Sequence, residues 1–436
     1  MEKSEGLRLF SAKFNETTCK GKITMDEHVG KTVPIKLEQV VSAYRKVRQG
    51  GKGTGIDHQS WVDFDKKVDE NLYVIWNRLS SGSYHAQAVR EVEIPKKDGK
   101  LRKLGIPTLR DRVAQQVVKV YMEEKIEPLF HENSYGYRPL KSAHQAIEQV
   151  RQNCHKLDWV LDLDISKFFD EIDHEIMLKA VDHVVKEKWV RMYVSRWLQA
   201  PTQKADGTLQ PKEGKGTPQG GVISPLLANL YLHYTLDKWL SKYYPKVSFV
   251  RYADDVIIHC TSKAQAEEIL EAVEKRLAEV KLQLNRAKTQ IAYCKDYKRR
   301  EDHERVKFEF LGFSFQPRPR KSQRDGRAFI AFAAEINQAN MKKIKEVIRD
   351  SISHRKTRLE ITDIARYLNP KLRGWINYFG IYSMNSLSNV TLRVDQRLIK
   401  WLSTKHKTNL RKSFLMLMRI KQENPNLFYH WKIGTE

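Results

Sequence analysis

Two adjacent carboxylates, Asp254 and Asp255, lie between the apolar runs Phe249-Val250-Arg251-Tyr252 and Val256-Ile257-Ile258. A second acidic pair, Asp162 and Asp164, alternates with Leu161, Leu163 and Ile165. Carboxylate oxygens on rigid elements are hard ligands suited to Mg²⁺, which keeps waters and takes substrate phosphates as further ligands. An uncompensated charge inside an apolar strand is costly, so Asp162 and Asp164 need partners, and a metal is the natural one. For Asp254-Asp255 two readings stand at this point: a metal site, or a polar hairpin tip with Asp in turn positions. A third group is cationic. Arg90, Lys96 and Arg102 recur every six residues around an Asp98-Gly99 turn. A regular hairpin would put them on one face, suited to a triphosphate that Arg binds bidentately and Lys as a point charge; a solvated basic hairpin is the alternative.

The elements that must position these groups follow from apolar periodicity. Val250 to Tyr252 and Val256 to Ile258 read as strands, which puts the acidic pair at a hairpin tip. Neighbouring strand residues face opposite sides, so both carboxylates serve one site only if the turn re-aims one of them. Trp159 to Ile165 reads as another strand. It runs into Asp170, Glu171 and Asp173, which suit the start of a helix. The stretch up to about Tyr84 reads as helical, with a glycine-rich break at 50–55 that either admits a nucleic-acid strand or is only a loop. Leu109 to Phe130 predicts an amphipathic helix. Ser134 to Pro139 forms a compact turn whose Arg138 can hold a phosphate or an acidic partner. In 214–224 a glycine-rich loop precedes Ser224 as N-cap and Pro225 as first helical residue, with a helix through Leu226, Leu227, Leu230 and Leu236. Lys263 to Val280 predicts a helix and Phe308 to Phe313 a strand. Residues 317–327, dense in proline and arginine, read as the main linker. Beyond it, Trp375, Tyr378, Phe379 and Tyr382, then Leu398, Trp401 and Leu402, have the spacing of buried helical stripes.

Composition narrows the class. A chain of 436 residues with 41% hydrophobic residues predicts two or three globular domains. A formal net charge of +25 points to phosphate polyanions or anionic membranes. Residues 341–436 alone carry 20 Lys and Arg against 7 Asp and Glu, about half of the excess, which favours nucleic acid. No apolar run approaches the ~20 residues that span a bilayer, and the N-terminus lacks the apolar core of a signal peptide. The four cysteines lie far apart without a CxxC pair, so neither a disulfide framework nor a Cys-rich zinc site is expected. His155 and His259, beside Cys154 and Cys260, read as core or surface residues. The expectation is a cytoplasmic nucleic-acid-binding protein.

In order along the chain, Ile94 to Arg102, Ser134 to Pro139, Asp164-Ile165-Ser166-Lys167-Phe168-Phe169-Asp170, Gly216-Thr217-Pro218-Gln219-Gly220-Gly221, Tyr252-Ala253-Asp254-Asp255, and Leu284-Asn285 with Lys288-Thr289 resemble the motifs of reverse transcriptases encoded by bacterial group II introns. Asn369 to Phe379 resembles the maturase-specific region of the same family. The resemblance implies an α+β right-hand polymerase: an N-terminal extension and the start of the fingers (1–88), fingers and an antiparallel palm sheet (89–316), a basic linker (317–334) and a helical thumb or maturase domain (335–436). It implies Asp164, Asp254 and Asp255 as catalytic carboxylates, with Ile165 beside them at two Mg²⁺ ions. Arg90, Lys96, Arg102, Gln219 and Lys288 would bind the nucleotide, and Phe169 would be the bulky gate against a ribose 2′-hydroxyl. Arg138, Lys371 and Arg373 would bind nucleic acid. The implied partners are an RNA template that includes intron RNA, a DNA or RNA primer, and dNTPs, with no membrane.

The implied activity is RNA-directed DNA synthesis with a maturase role in splicing and intron mobility. Two other readings are a splicing factor that makes little use of polymerisation, and an intron-independent enzyme of repair or defence. Family members with a homing endonuclease carry a further DNA-binding segment and cysteine pairs after the thumb. Here Leu427 to Trp431 stands close to the end and the last cysteine is Cys294, so no nuclease is expected.

Overall fold

A computed structural model describes residues 33–51, 53–95, 101–322, 325–353 and 357–432. Its strands are β1 (Val89–Pro95), β2 (Leu101–Ile106), β3 (Trp159–Leu163), β4 (Thr202–Gln203), β5 (Leu209–Gln210), β6 (Ser248–Tyr252), β7 (Asp255–Cys260), β8 (Gln290–Tyr293), β9 (Phe308–Phe310), β10 (Phe313–Lys321) and β11 (Ala328–Ile336). Contacts divide the chain into two compact units, one of residues 1–94, 102–126 and 178–224, the other of residues 95–101, 127–177 and 225–436.

In the first unit the helices Leu37–Arg48, Trp61–Lys66 and Val68–Ser80 surround Val40, Phe64 and Ile75, which have no exposed surface. The sheet order is β2-β1-β4-β5. The helix Leu109–Ile126 is not amphipathic as expected. Asp111, Arg112, Gln115 and Gln116 are buried along with Val113, Val117 and Val118. Its polar face is covered because Asp111, Arg112 and Gln115 find partners inside the protein. Asp111 accepts from Tyr84 and Thr108, and Arg112 donates to the carbonyls of Pro107, Gly51 and Gly53. The 50–55 loop is therefore tied to its own chain. A Cβ at Gly55 would fall 2.6 Å from Thr108 Cα, so its glycine serves close backbone packing.

The second unit holds the acidic sheet, in the order β6-β7-β3-β8 and antiparallel throughout. This is the expected palm sheet. Val160 and Leu161 on β3, and Val250, Ile257 and Ile258 on β6 and β7, are wholly buried. The helices Ala143–Lys156 and Lys263–Glu279 pack against this sheet. The expected strand Phe308 to Phe313 is a hairpin instead. Leu311 (φ 47) and Gly312 (φ 85) form a two-residue turn with positive φ at both positions, pairing Phe310 with Phe313.

The 317–334 linker is likewise corrected. Those residues form most of β10 and β11, paired from Phe313↔Ile336 to Lys321↔Ala328. Pro317 and Pro319 lie beyond the last residue paired with β9, on the edge where a strand can lack an N–H. Arg318 and Arg320 both pair with Glu335, at 2.7 and 3.8 Å, which offsets part of their charge. Proline and charge mimic a linker, but their period of two is that of a strand. Beyond it stand Gln338–Ser351, Ile361–Lys405 and Leu410–Glu423, the expected helical thumb. The 45-residue helix Ile361–Lys405 is two segments joined at Ser383 (φ −139, ψ 42). Phe379, Leu398, Trp401 and Leu402 are buried as their spacing predicts, and the Tyr378 and Tyr382 hydroxyls donate to the carbonyls of Leu311 and His144.

One core residue makes stability depend on pH. His259 on β7 is 1% exposed, its Nε2 has no hydrogen-bond partner among the described residues, and burial pushes it down to about 3. The unfolded chain takes up this proton near pH 6.5, but the folded chain refuses it until near pH 3. The stabilisation is thus complete above about pH 6.5 and shrinks as the pH falls. The expected loss between pH 7 and 5.5 is about 1 kcal/mol from this residue alone. The change in wild-type stability between the two pH values minus that of His259→Leu, both from urea denaturation, measures it, because Asp162 and Asp255, pushed up to about 7 and 6, act in the opposite sense over that range.

Candidate active site

The β6–β7 hairpin pairs Tyr252 with Asp255, so its loop is the two residues Ala253-Asp254. One carboxylate therefore stands in the turn and the other begins β7, the re-aiming that a shared site requires. The Leu163↔Val256 register carries the chain one step further to Asp164 beside Asp255. Strands far apart in sequence thus deliver Asp164, Asp254 and Asp255 to one end of one sheet.

Asp164 is gripped by the turn that follows the helix Lys263–Glu279. Its Oδ2 accepts from Asn285 Nδ2 at 2.8 Å, and its carbonyl accepts from Asn285 N at 2.8 Å. Lys288 Nζ lies 3.8 Å from the same Oδ2. Ile165 opposes Leu284, but the hydrogen bonds of that bridge come from Asp164 and Ser166, so the Ile165 carbonyl is not used in it. Asp162 does not join the group. Its Oδ2 accepts from Gln290 Nε2 at 2.9 Å, which supplies the partner that a metal was expected to supply. Burial pushes Asp162 up to about 7, despite that hydrogen bond.

Burial also pushes Asp255 up to about 6, with the charges of Asp254 and Asp164 adding to it and Lys288 opposing. Asp255 retains accessible surface, so water screens part of this effect. Three like charges around one point are relieved by a cation. Among the described residues no three His, Cys, Asp or Glu side chains already stand as a complete metal-holding group. Mg²⁺ does not need one, because waters and phosphate oxygens complete its shell. The donor set, all carboxylate with one backbone carbonyl to hand, fits that ion.

The first unit carries Arg90 and Arg102 of the cationic set. Lys103 Nζ pairs with Glu91 at 3.0 Å, which places those two residues on one face of the β1–β2 hairpin. Arg90 and Arg102, each one residue earlier, therefore share the opposite face. Arg102 Nε donates to Gln219 Oε1 at 2.7 Å, so two residues 117 positions apart that were expected at the nucleotide do meet. Among the described residues Arg90 Nε is buried without a hydrogen-bond partner. Lys96 lies outside the described residues. Gly220 stands at φ 145 with its Cβ position 2.6 Å from the Gly105 carbonyl oxygen, so the loop there needs glycine.

Phe169 is 9% exposed and meets Phe168 edge-on, with ring centroids 5.3 Å apart. Asp173 caps the helix His174–Val184 through Ile176 N at 3.0 Å, the structural role expected of it. Arg138 is a correction. Its guanidinium binds Glu127 at 2.8 Å and the carbonyls of His131 and Ser134 at 2.6 Å, and its side chain is only 7% exposed. Of its two readings the acidic partner holds, because a buried guanidinium with its donors satisfied has none to offer a phosphate. Lys371 caps the ring of Tyr367 at 3.5 Å, while exposed Arg373 lies over Tyr429 at 5.2 Å.

Two residues at the site had been assigned no role. Asn285 orients Asp164, and nothing in its spacing announces that. Arg251 is wholly buried in an ion pair with Asp237 at 2.6 Å. An arginine inside the apolar run Phe249 to Ile258 was a signal, since a buried cation demands a buried anion.

An antiparallel sheet that gathers three carboxylates at one end, followed by a helical thumb, is the palm and thumb of a nucleic-acid polymerase. Residues 94–315, half of the chain, match the family described as reverse transcriptase (RNA-dependent DNA polymerase), and residues 341–417 match the group II intron, maturase-specific domain. The chain belongs to the reverse transcriptases of the group II intron type, RNA-directed DNA polymerases with a maturase domain. It is 34% identical to Protein YkfC of Escherichia coli over 57% of this chain and 74% of that one. It is 28% identical to the group II intron-encoded protein LtrA of Lactococcus lactis over 80% of this chain and 70% of that one.

Proposed function

We propose that this chain copies RNA into DNA at Asp164, Asp254 and Asp255, and that its thumb holds the intron RNA during splicing and mobility. The observation that carries the reading is the meeting of those three carboxylates at one end of the β6-β7-β3-β8 sheet. Bound there, Mg²⁺ would lower the pKa of a primer 3′-hydroxyl and neutralise the pyrophosphate that leaves. Asp164 and Asp254 would hold the ions, with Asp255 a supporting carboxylate and the Ile165 carbonyl a further oxygen. Asn285 fixes the rotamer of Asp164. Lys288 spares that carboxylate from full repulsion before the ion arrives. Arg90, Lys96 and Arg102 bind the triphosphate, and Gln219, already held by Arg102, lines the nucleotide pocket. DNA synthesis on an RNA template with Mg²⁺ and dNTPs is the direct test. No extension under any of these conditions would refute the site.

Phe169 supports the choice of deoxynucleotides, since a buried ring edge rejects an added hydroxyl by bulk. Phe169→Val should raise ribonucleotide incorporation by roughly two orders of magnitude relative to deoxynucleotide, the scale of a steric pocket's discrimination. Single-nucleotide insertion kinetics with each sugar would show it, and an unchanged ratio would remove the gate.

The thumb supplies a surface for RNA. Lys342, Lys345, Arg349, Arg393 and Arg397 line a groove of about 490 Å³ beside Arg318. Lysines and arginines on one face at helical spacing suit a phosphate backbone. RNA affinity should fall steeply with salt. Replacing Lys345 and Arg393 by glutamine should reduce the slope of log affinity against log salt by about one per cation. Filter binding between low and moderate salt measures this, and an unaltered slope would place the RNA elsewhere. Among the described residues no helix is long and apolar enough to cross a membrane.

A further inference from the structure

The Ala253-Asp254 loop has an unusual backbone. Ala253 stands at φ 57, whereas Asp254 is not among the residues of positive φ. Positive φ at the first loop position alone is the pattern of a type II′ turn, where glycine is strongly favoured. An alanine there is held against its preference, and persists only if its surroundings over-determine it.

The surroundings do so through Arg251. Its Nη1 donates to the Ala253 carbonyl at 3.0 Å and to Asn229 Oδ1 at 2.9 Å. Its Nε and Nη2 donate to the two oxygens of Asp237 at 2.7 and 2.6 Å. Arg251 and Asp237 have no exposed surface, and Asn229 has 1%. Asn229 Nδ2 in turn donates to the Gly136 carbonyl at 2.6 Å. A Cβ at Gly136 would fall 2.3 Å from Ala253 N, so glycine is what lets the 133–136 segment lie against the turn. Tyr135 N and Asn133 O bond the backbone of Arg251 at 2.8 and 2.9 Å. Asp237 ends a π turn, His233–Asp237, between the helices Ser224–Leu232 and Lys238–Tyr243. Such turns are rare and concentrate at functional sites. Three features that the chemistry leaves idle thus converge on one loop: the Ser134–Pro139 motif, an arginine inside an apolar strand, and a π turn.

We propose that Arg251 is a positioning residue: its guanidinium, oriented by Asp237 and Asn229, holds the Ala253-Asp254 turn in the conformation that presents Asp254 to a divalent cation. A buried ion pair kept for stability alone does no better than apolar side chains of similar volume. This one spends a donor on the turn itself. Lysine keeps the charge but lacks the planar fork that reaches Asp237, Asn229 and Ala253 together.

The inference rests on the metal-site reading, and the experiment separates the two. Wild type, Arg251→Lys, Arg251→Lys/Ala253→Gly and Asp254→Ala are compared as full chains by Mn²⁺ titration, thermal melting and primer-extension kinetics. Arg251→Lys is expected to remain folded, to bind Mn²⁺ about tenfold more weakly and to lose kcat about tenfold, the usual scale for a partner of a metal ligand. The dNTP KM should change little. Ala253→Gly should restore part of both losses, because glycine takes the positive φ unaided. A folded Arg251→Lys with wild-type Mn²⁺ affinity overturns the proposal, as do losses that Ala253→Gly leaves untouched. Should Arg251→Lys fail to fold, Arg251→Met/Asp237→Leu removes both charges at similar volume. Weak Mn²⁺ binding by that folded variant supports the proposal, and wild-type binding overturns it. Mn²⁺ binding that survives Asp254→Ala refutes the metal-site reading itself. Binding lost in Asp254→Ala but kept in Arg251→Lys refutes only the role of Arg251.

Discussion

Asp254→Ala is expected to lower DNA synthesis on an RNA template by at least about a thousandfold, because the several kcal/mol that metal-bound charge contributes to a transition state correspond to such a factor. The variant should melt no earlier than wild type. Asp254 sits beside Asp164 and Asp255, and removing one of three like charges relieves repulsion in the absence of metal. Activity and stability should therefore part company. Asp255→Ala should cost less, since it is the supporting carboxylate, and Asp164→Ala about as much as Asp254→Ala. Single-turnover extension together with a melting curve checks the pattern. Robust extension by the Asp254 variant would place the chemistry elsewhere.

Asp237→Ala should have the largest effect on stability. It leaves the Arg251 guanidinium buried with its bidentate partner gone, a change that costs about 3–5 kcal/mol. Asp237 is held below the usual carboxylate range by Arg251 although its burial opposes this. Its partner, not its hydration, keeps it ionised. Chemical denaturation of Asp237→Ala against wild type measures the loss. Adding Arg251→Met should return much of it, because the orphaned charge goes too. A single variant as stable as wild type would mean that water reaches the cluster and that the pair is not the buried one described.

The two variants bracket what was legible. Asp162, Asp164, Asp254 and Asp255 all stand out as carboxylates amid strand-forming residues, and the family motifs single out Asp164, Asp254 and Asp255. The partners that make them work do not stand out. Asn285 reaches Asp164 across 121 residues, and Asp237 meets Arg251 only because a helix widens into a π turn. Apolar periodicity cannot show either, because both depend on which loop lies against which strand. Arg138 illustrates the converse: as a motif arginine it invites a phosphate, yet Glu127 and two carbonyls had already taken its donors.

Local pattern was reliable where burial followed a period, and misleading where backbone geometry overrode it. Prolines and arginines suggest a linker at 317–334, where a strand edge accepts the former and Glu335 pairs with Arg318 and Arg320. Leu311-Gly312 folded one expected strand into two. The motifs and their order carry the resemblance that gives the class of protein, while residue type and spacing mark the acidic residues and their hairpin, because they set hydrogen-bonding capacity and charge along the chain. Only the tertiary structure decided which groups stand beside those acids, how the strained Ala253 turn is held and which cations remain available to a ligand. Those depend on contacts between separate elements, as between Asn285 and Asp164 or Asp237 and Arg251, and burial there turns an ordinary charge into one that must have a partner.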